Sequence, residues 1–463
     1  MSTYTIINTL MKKYSTRKLV IISVWTALFL HVLPLSSGRL FADSKSNPEG
    51  MDLYDSNRIL EINIKMDSAD WMKLRRQHPD FLSRIQGEEH NPKPYSYFKA
   101  IVTIDGTEIS EVGVRKKGNL GSVVSTRPSM KLEFDEYNSK KRFQDLEGMT
   151  LNNNNQNGAI LHQYLSYHLF RKAGVAAPRC NLAHVTVNGE DLGIYSNVEP
   201  IKKDFLKRNF GKSGGNVYES GGAFVGKAYR GFNKKNNRKK NDWSDLERVA
   251  QALAKPESEI LSTLGESMDL EAFYRFWAMD VLVGDWDGYI CKANNFYLYN
   301  NPETDKLHFI PWGLDAVFED PGMDIKVTVP RSVKAVSFLP NKLYQIETSR
   351  NRYLEVMQQI LNDVWNETEL ALMIETARSL IGDRLHITEA YFNEDLKVIQ
   401  DFIGSRRKEV QSELDAGSPE WPQSASRKGG GGGFASINSQ FNTNWQDRLN
   451  KKNTTSFGKA DLE

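Results

Sequence analysis

The sequence predicts an α+β protein in two lobes, strands gathered in the first part and helices in the second. Two patterns carry this expectation. Between Arg58 and Glu199, short apolar runs alternate with polar residues and are broken by Asp105-Gly106 and Asn188-Gly189, the signature of strands joined by tight turns. From Trp243 onward the apolar spacing lengthens to that of helices. A third observation lies between them. The stretch VLVGDWDGYICKANNFYLYNNPETDKLHFIPWGLDAVF, Val281 to Phe318, runs from an apolar helix end into a hairpin that carries acids and amides at its base.

The composition narrows the function classes. Among 463 residues, 60 are basic and 58 acidic, so no global charge pulls the chain toward nucleic acid or anionic lipid. A 40% hydrophobic content supports a large soluble core. Cys180 and Cys291 can form at most one disulfide, and two thiols make neither a disulfide framework nor a zinc site.

The first 42 residues read as an export segment. Lys12, Lys13, Arg17 and Lys18 precede the apolar run LVIISVWTALFLHVLPL, and small residues lead to Ala42. A cleaved signal peptide and an uncleaved N-terminal anchor both fit this order. Either puts the body outside the cytosol, secreted or at the cell surface or periplasm.

The folded part is expected over 58–415. ILEINIKM alternates as a strand, and Asp67-Ser68 cap a helix through DWMKLRRQ. YFKAIVTI forms the next strand. The loop GVRKKGNLGSVVSTRP then leads into SMKLEF, where Met130, Leu132 and Phe134 share one face and Lys131 takes the other. A lysine just after a loop holding Gly118, Asn119, Gly121 and Ser122 can reach a nucleotide phosphate; the plain alternative is a solvated surface lysine. AILHQYLSYHLFRKA carries a helical apolar stripe that stops at Gly174. His162 and His168 lie on it as packing or surface residues rather than metal ligands. A hairpin about Asn188-Gly189 ends at Glu199-Pro200.

Gly214 to Asn241 is rich in Gly, Asn and Lys and reads as an exposed, mobile loop with a solvated basic run; recognition of an acidic or phosphate-rich partner is the functional alternative. Helices are expected near Trp243–Ala254, Met268–Val283, Tyr353–Trp365, Leu370–Ile381 and Leu385–Leu414. After Gly417, a five-glycine run and polar composition predict a disordered, dispensable tail over 418–463.

The chemistry concentrates in the central hairpin. Asp285 and Asp287 stand two apart in a loop, Asn294 and Asn295 directly precede the strand FYLY, and Asp315 follows the strand ending at Trp312. Carboxylates and amide oxygens are hard ligands suited to Mg²⁺, which also takes substrate phosphate oxygens. One loop acid remains to orient a hydroxyl nucleophile. The layout resembles the catalytic half of a protein kinase, in which a loop Asp and a later Asn precede a hairpin ending in a metal-binding Asp. Helix caps and turn-filling are the competing use of these residue types.

Taken in order, GVRKKGN, PSMKLEF, LNNNNQN, VTVNGEDLGIYSNVEPI, DWDGY…NNFYLY, FIPWGLDAVF and a closing helix with Arg406-Arg407 resemble the CotH (spore coat protein H) kinase-like family from about Arg58 to Leu414. The resemblance implies an atypical, secreted protein kinase with a remote kinase-like fold. The strand-rich N-lobe would span about 58–199 and the helical C-lobe about 200–415, with ATP and Mg²⁺ between them. It assigns Lys131 to the nucleotide phosphates and Gly118 and Asn119 to the nucleotide-side loop. Glu199 falls at the inter-lobe connection. Asp287 is the loop acid, with Asp285 its rival, and Asn295, with Asn294 beside it, the metal-side amide. Asp315 is the metal-binding acid.

Three features depart from the family. Gly313 stands in WGLD where many relatives carry an acid. The interval from Asp287 to Asn295 is longer than in an ordinary kinase loop. Asn157 and His162 replace an acid and a basic residue at the first long helix. The expected reaction is phosphoryl transfer from ATP to Ser, Thr or Tyr of an extracytoplasmic protein, with no role for nucleic acid. Adenylylation in the same cleft, a non-catalytic surface module on this scaffold and a calcium-stabilised module are the other readings, the last weakened by Tyr289 where a calcium loop wants an oxygen ligand.

Overall fold

The structure is a computed structural model that describes residues 52–80, 93–118, 124–319 and 330–421. The export segment, Asn119 and the chain beyond Trp421 lie outside the described residues.

Seven strands close into a barrel in the order β1-β2-β3-β4-β5-β7-β6. They are β1 (Ile59–Met66), β2 (Phe98–Ile104), β3 (Thr107–Lys116), β4 (Met130–Glu133), β5 (Gly148–Asn152), β6 (Cys180–Val187) and β7 (Glu190–Val198). All pairings are antiparallel except β1 with β6, which run parallel and close the ring. The turns fall where sequence placed them: Asp105 and Gly106 take φ of 45° and 81°, and Asn188 and Gly189 take 52° and 84°, the left-handed pair that a two-residue hairpin requires. Alternation fills the interior with Leu60, Ile62, Ile64, Val102, Val112, Val114, Met130, Leu132 and Tyr195. Helix α1 (Ser68–Arg76) packs Trp71 and Leu74 onto this core, and Asp67 caps it by accepting the N–H groups of Ala69 and Asp70.

The division between strand-rich and helical parts is less clean than the two-lobe expectation. Helix α2 (His162–Lys172) lies between β5 and β6 in sequence, yet its apolar face joins the helical core. That core also takes Cys180, Leu182, Ile194 and Val198 from β6 and β7, so one apolar body runs from barrel wall to helices. Both cysteines are free thiols.

The helical part holds α3 (Lys203–Phe210), α4 (Ser244–Leu253), α5 (Glu257–Ser267), α6 (Leu270–Leu282), the single turn α7 (Tyr289–Lys292), α8 (Phe338–Gln345), α9 (Glu347–Asp363), α10 (Glu367–Ile381) and α11 (Glu389–Asp415). Trp277 of α6 stacks on Tyr353 of α9 with centroids 3.8 Å apart. A second sheet is ordered β11-β10-β8-β9, from β8 (Val217–Glu219), β9 (Asn233–Lys234), β10 (Phe296–Asn301) and β11 (Lys306–Pro311).

Two expectations change. The 214–241 segment is built in rather than loose. Val217, Tyr218, Phe224, Tyr229 and Phe232 are buried, and their aromatic anchors sit at irregular intervals among glycines, which hides them from any periodicity. The dispensable tail does not start at Gly417 either, because Trp421 is 5% exposed in the helical core and Tyr344 Oη donates to the Pro419 carbonyl at 2.8 Å.

Candidate active site

The helix end that precedes the acids is fastened from behind. Arg406 of α11 is buried; its Nε donates to the Leu282 carbonyl at 3.1 Å and its Nη2 to the Val281 carbonyl. These are orphan carbonyls at the C-terminus of α6, where a cation also meets the favourable end of the helix dipole. Gly284 follows at φ +70°, and a Cβ there would lie 2.8 Å from the Phe402 ring, so the chain turns where only glycine fits.

The turn delivers Asp285 to the interior and Asp287 to the mouth. Asp285 is 2% exposed and touches Asp280 of α6, which is equally buried. Asp280 accepts the Ile290 N–H at 2.9 Å, and Asp285 accepts the Asp287 N–H at 3.2 Å. A Cβ on Gly288 would fall 2.4 Å from Asp285 Oδ2 and 2.6 Å from Asp280 Oδ1, so the loop closes directly on this acid pair. Burial and then the Asp280 charge push the Asp285 carboxyl well above the usual range, and burial raises Asp280 to about 7. Asp285 therefore supports the loop from below rather than facing solvent.

Asp287 is held by three donors: Asn295 Nδ2 at 2.8 Å and Asn294 Nδ2 at 3.2 Å on one oxygen, Lys292 Nζ at 3.3 Å on the other. The Lys292 ammonium also lies 4.2 Å above the Trp286 ring. Asn295 adopts φ 50°, and its carbonyl accepts the Trp312 N–H at 3.2 Å, joining the two ends of the β10–β11 hairpin. The longer interval from Asp287 to Asn295 is the turn α7, which doubles the chain back so that acid and amides meet.

Gly313, the departure in WGLD, has a local reason. Its φ is +63°, a Cβ would sit 3.2 Å from Asn295 Cγ, and its N–H donates to Tyr167 Oη at 3.2 Å. Asp315 follows, half-buried, with its carbonyl accepting Asn157 Nδ2 at 2.8 Å. Burial, then the Asp287 charge, raises its carboxyl to about 6, while Lys117 pulls it down.

The opposite wall is basic. Lys131, on β4 between Arg115 of β3 and Thr150 of β5, is half-buried and points away from the barrel core. Burial and then the Arg115 guanidinium lower it to about 8. Lys117, just past β3, is lowered by burial, against the opposing pull of the Asp315 and Glu219 charges. Glu219 of β8 closes one side, accepting from Tyr297 Oη at 3.0 Å and Lys235 Nζ at 2.6 Å.

Other expected residues have partners of their own. Glu199 is 1% exposed, and its carboxylate is bound by Arg179 at 3.0 Å and by Arg208. It pins the exit of β7 and has both oxygens occupied. Gly118, at φ +121°, offers its carbonyl to Tyr95 Oη at 2.7 Å. His162 packs 6.4 Å from the Phe318 ring, and His168 Nε2 pairs with Glu369 at 2.9 Å. Lys117, Lys292 and Asp280 were not singled out in sequence. Lys117 is masked by Lys116, its buried neighbour, which donates to the Arg75 carbonyl at 2.6 Å. Only the alternation of β3, read one residue past its end, separates the two.

Among the described residues, no three carboxylates, thiols or imidazoles close round one point. The donors nevertheless suit a hard divalent cation that keeps water and phosphate oxygens in its shell. The Asp287 charge raises the carboxyls of both Asp285 and Asp315, and the Asn294 and Asn295 amides turn their nitrogens to Asp287.

Residues 114–410 match the CotH kinase protein family. The chain is 20% identical over 301 residues to the inner spore coat protein H of Bacillus subtilis, covering 59% of this chain and 80% of that protein. Over 171 residues it is 26% identical to spore coat protein homolog 1 of Rhizopus delemar, covering 34% of this chain and 28% of that one. Over 248 residues it is 22% identical to invasin CotH7 of the same organism, with 49% and 41% covered. It thus spans most of the Bacillus protein and under half of the two Rhizopus proteins. Among solved structures, the Helicobacter pylori proinflammatory kinase CtkA overlays with a TM-score of 0.35 at 9% identity, covering 66% of this chain and 95% of that one. HipA, from a Shewanella oneidensis toxin–antitoxin complex with DNA, gives 0.33 at 13% identity, with 75% and 74% covered. With the family matched across most of its length, and over every element of the acid–amide hairpin, the chain belongs to the CotH kinase protein family.

Proposed function

We propose that this chain is a protein kinase that moves the terminal phosphoryl group of ATP to a Ser, Thr or Tyr hydroxyl on proteins outside the cytosol, working as two lobes with the nucleotide between them. The observation that carries the reading is Asp287 held by Asn294, Asn295 and Lys292 beside Asp315, with Lys117 and Lys131 on the facing wall. Family membership supports it, as do the names of the relatives, a spore coat protein and an invasin, for an acceptor at a surface.

In this reading Asp287 orients the acceptor hydroxyl and takes its proton as the oxygen–phosphorus bond forms and the bond to the departing ADP breaks. The amides of Asn294 and Asn295 keep its carboxylate in one rotamer, so little reorganisation is needed at the moment of transfer. Asp285 and Asp280 hold the loop from beneath. Lys131 and Lys117 meet the phosphate oxygens, and burial has already removed part of their hydration. Magnesium, when bound, neutralises charge on the phosphates; Asp315 and the amide oxygens of Asn294 and Asn295 are the residues that would hold it.

Intact-mass analysis of the purified protein after incubation with ATP and Mg²⁺ tests the reading. A gain of phosphate in the parent and none in Asp287→Asn is expected. A gain of an adenylyl group would instead assign the other transfer, and no gain on the protein or on any offered acceptor would remove the reading.

A further inference from the structure

The span Ser220 to Asn241 contains seven basic residues and no acid. Its backbone is fixed. Phe224, Tyr229 and Phe232 are buried, Phe232 meets Phe296 edge-on at 6.1 Å, and Phe224 meets Phe309 at 6.4 Å. Asn236 and Asn237 donate to the carbonyls of Gly215 and Gly214, at 2.8 and 3.1 Å. Three of the cations serve this framework. Lys234 reaches the Asp242 carbonyl, Lys235 pairs with Glu219, and Arg238 donates to the Lys234 carbonyl at 2.7 Å.

The other four, Lys227, Arg230, Lys239 and Lys240, are exposed, and among the described residues no side-chain hydrogen bond or ion pair engages them. Nearby acids are committed elsewhere. Glu219 binds Tyr297 and Lys235, Asp242 caps Ser244, and Asp245 is buried on Tyr218 and Asn216. Four exposed cations on one fixed segment that carries no acid of its own present positive charge to an anionic ligand.

The platform adjoins the candidate site. Ser220 N–H donates to the Phe296 carbonyl at 3.2 Å, and Phe296 directly follows Asn295, the amide on Asp287. From these observations we infer that the Ser220–Asn241 platform is a docking surface for an acidic, Asp/Glu-rich segment of a protein acceptor, delivering an adjacent hydroxyl to Asp287. The delivery half of this inference rests on the phosphotransfer reading; the docking half does not. A peptide fits better than a bilayer or nucleic acid. The exposed large apolar side chain on the platform is Val225, too little for insertion into lipid, and the chain as a whole is nearly neutral at +2. A pre-ordered backbone also spares the ordering cost of binding an extended segment.

Fluorescence anisotropy of the full chain with a labelled Asp/Glu-rich peptide bearing one serine tests this, beside a control peptide with Asn and Gln for the acids. The acidic peptide should bind and the control should not. Replacing Lys227, Arg230, Lys239 and Lys240 together by Gln should weaken binding about tenfold or more, as should raising salt past about 0.3 M. All four are solvent-facing, so the melting temperature should hold; the Lys239→Gln, Lys240→Gln pair, with a smaller loss, serves if it does not. Equal binding of both peptides, an unaffected variant, or binding of phosphatidylserine vesicles without the peptide would overturn the proposal. If the peptide docks through these cations but its serine never gains phosphate from ATP, docking stands and the phosphotransfer reading falls.

Discussion

Asn157 donates its side-chain amide to the backbone carbonyl of Asp315 at 2.8 Å, across 158 residues of sequence. The bond links the asparagine run before α2 to the acid after β11, and so links barrel to hairpin. The adjoining chain is equally constrained. The Ala159 N–H donates to Asp395 Oδ2 at 2.7 Å, and a Cβ on Gly158 would lie 2.8 Å from the Asp395 side chain. Asn157→Ala should therefore cost about 1–2 kcal/mol of stability, the usual loss when a buried acceptor is orphaned, and should weaken ATP binding more at limiting than at saturating Mg²⁺. Denaturant melts together with a Mg²⁺ titration check both parts.

Gly313→Asp would supply the second acid that the family resemblance implies for WGLD. Here it should not improve activity. The site's φ of +63° costs a side chain on the order of 1–2 kcal/mol, and the new Cβ would press on Asn295 at 3.2 Å. Lower stability with unchanged or poorer transfer is expected. Higher activity at full stability would mean that this backbone accommodates the acid.

The Asp280–Asp285 pair sets a pH dependence. Its carboxyls are raised in the folded protein, Asp280 to about 7, against roughly 3.9 when unfolded. The folded state thus binds more protons through that window, so stability falls as pH climbs from about 4 to about 7. Asp285→Asn keeps an oxygen for the Asp287 N–H and removes the buried like charge. Thermal melts across the window should show a flatter slope for the variant and a higher melting temperature near neutrality; a slope equal to the parent's would contradict the pairing.

How far the sequence went is seen in particular residues. The side of β4 that Lys131 takes was legible because its neighbours Met130 and Leu132 alternate into a barrel core, and the hairpin turns because Asn-Gly and Asp-Gly have few other uses. The surroundings of Glu199 were not legible. Its position after β7 says nothing about Arg179 and Arg208, whose approach is a tertiary matter. The basic wall was half seen, since Lys117 and Asp315 interact through folding rather than proximity in the chain. The 214–241 segment reads as a loose loop because its composition outweighs four buried aromatics, Tyr218, Phe224, Tyr229 and Phe232, that follow no period.

Trp421 corrects the expected boundary of the folded body. Its ring packs into the helical core, and Gln345 Nε2 reaches its carbonyl at 3.5 Å. Trp421→Ala, or a chain ending at Ser418, should lose roughly 2–4 kcal/mol, somewhat below a central aromatic deletion because a chain end can relax. Urea denaturation measures it, and a midpoint equal to the parent's would place the end of the folded body at Gly417.

Whether Asp315 is a metal-side ligand in a phosphotransfer site is decided by Asp315→Asn. The amide keeps the shape, and loss of a half-buried carboxylate crowded by Asp287 should leave the melting temperature unchanged or higher. In one experiment, melting with and without Mg²⁺ and ATP is paired with transfer of labelled phosphate. The parent should be stabilised by Mg²⁺ with ATP and transfer phosphate, while the variant should fold as well but lose both responses. A variant that transfers phosphate at the parent's rate, with the same Mg²⁺ dependence, would contradict that role.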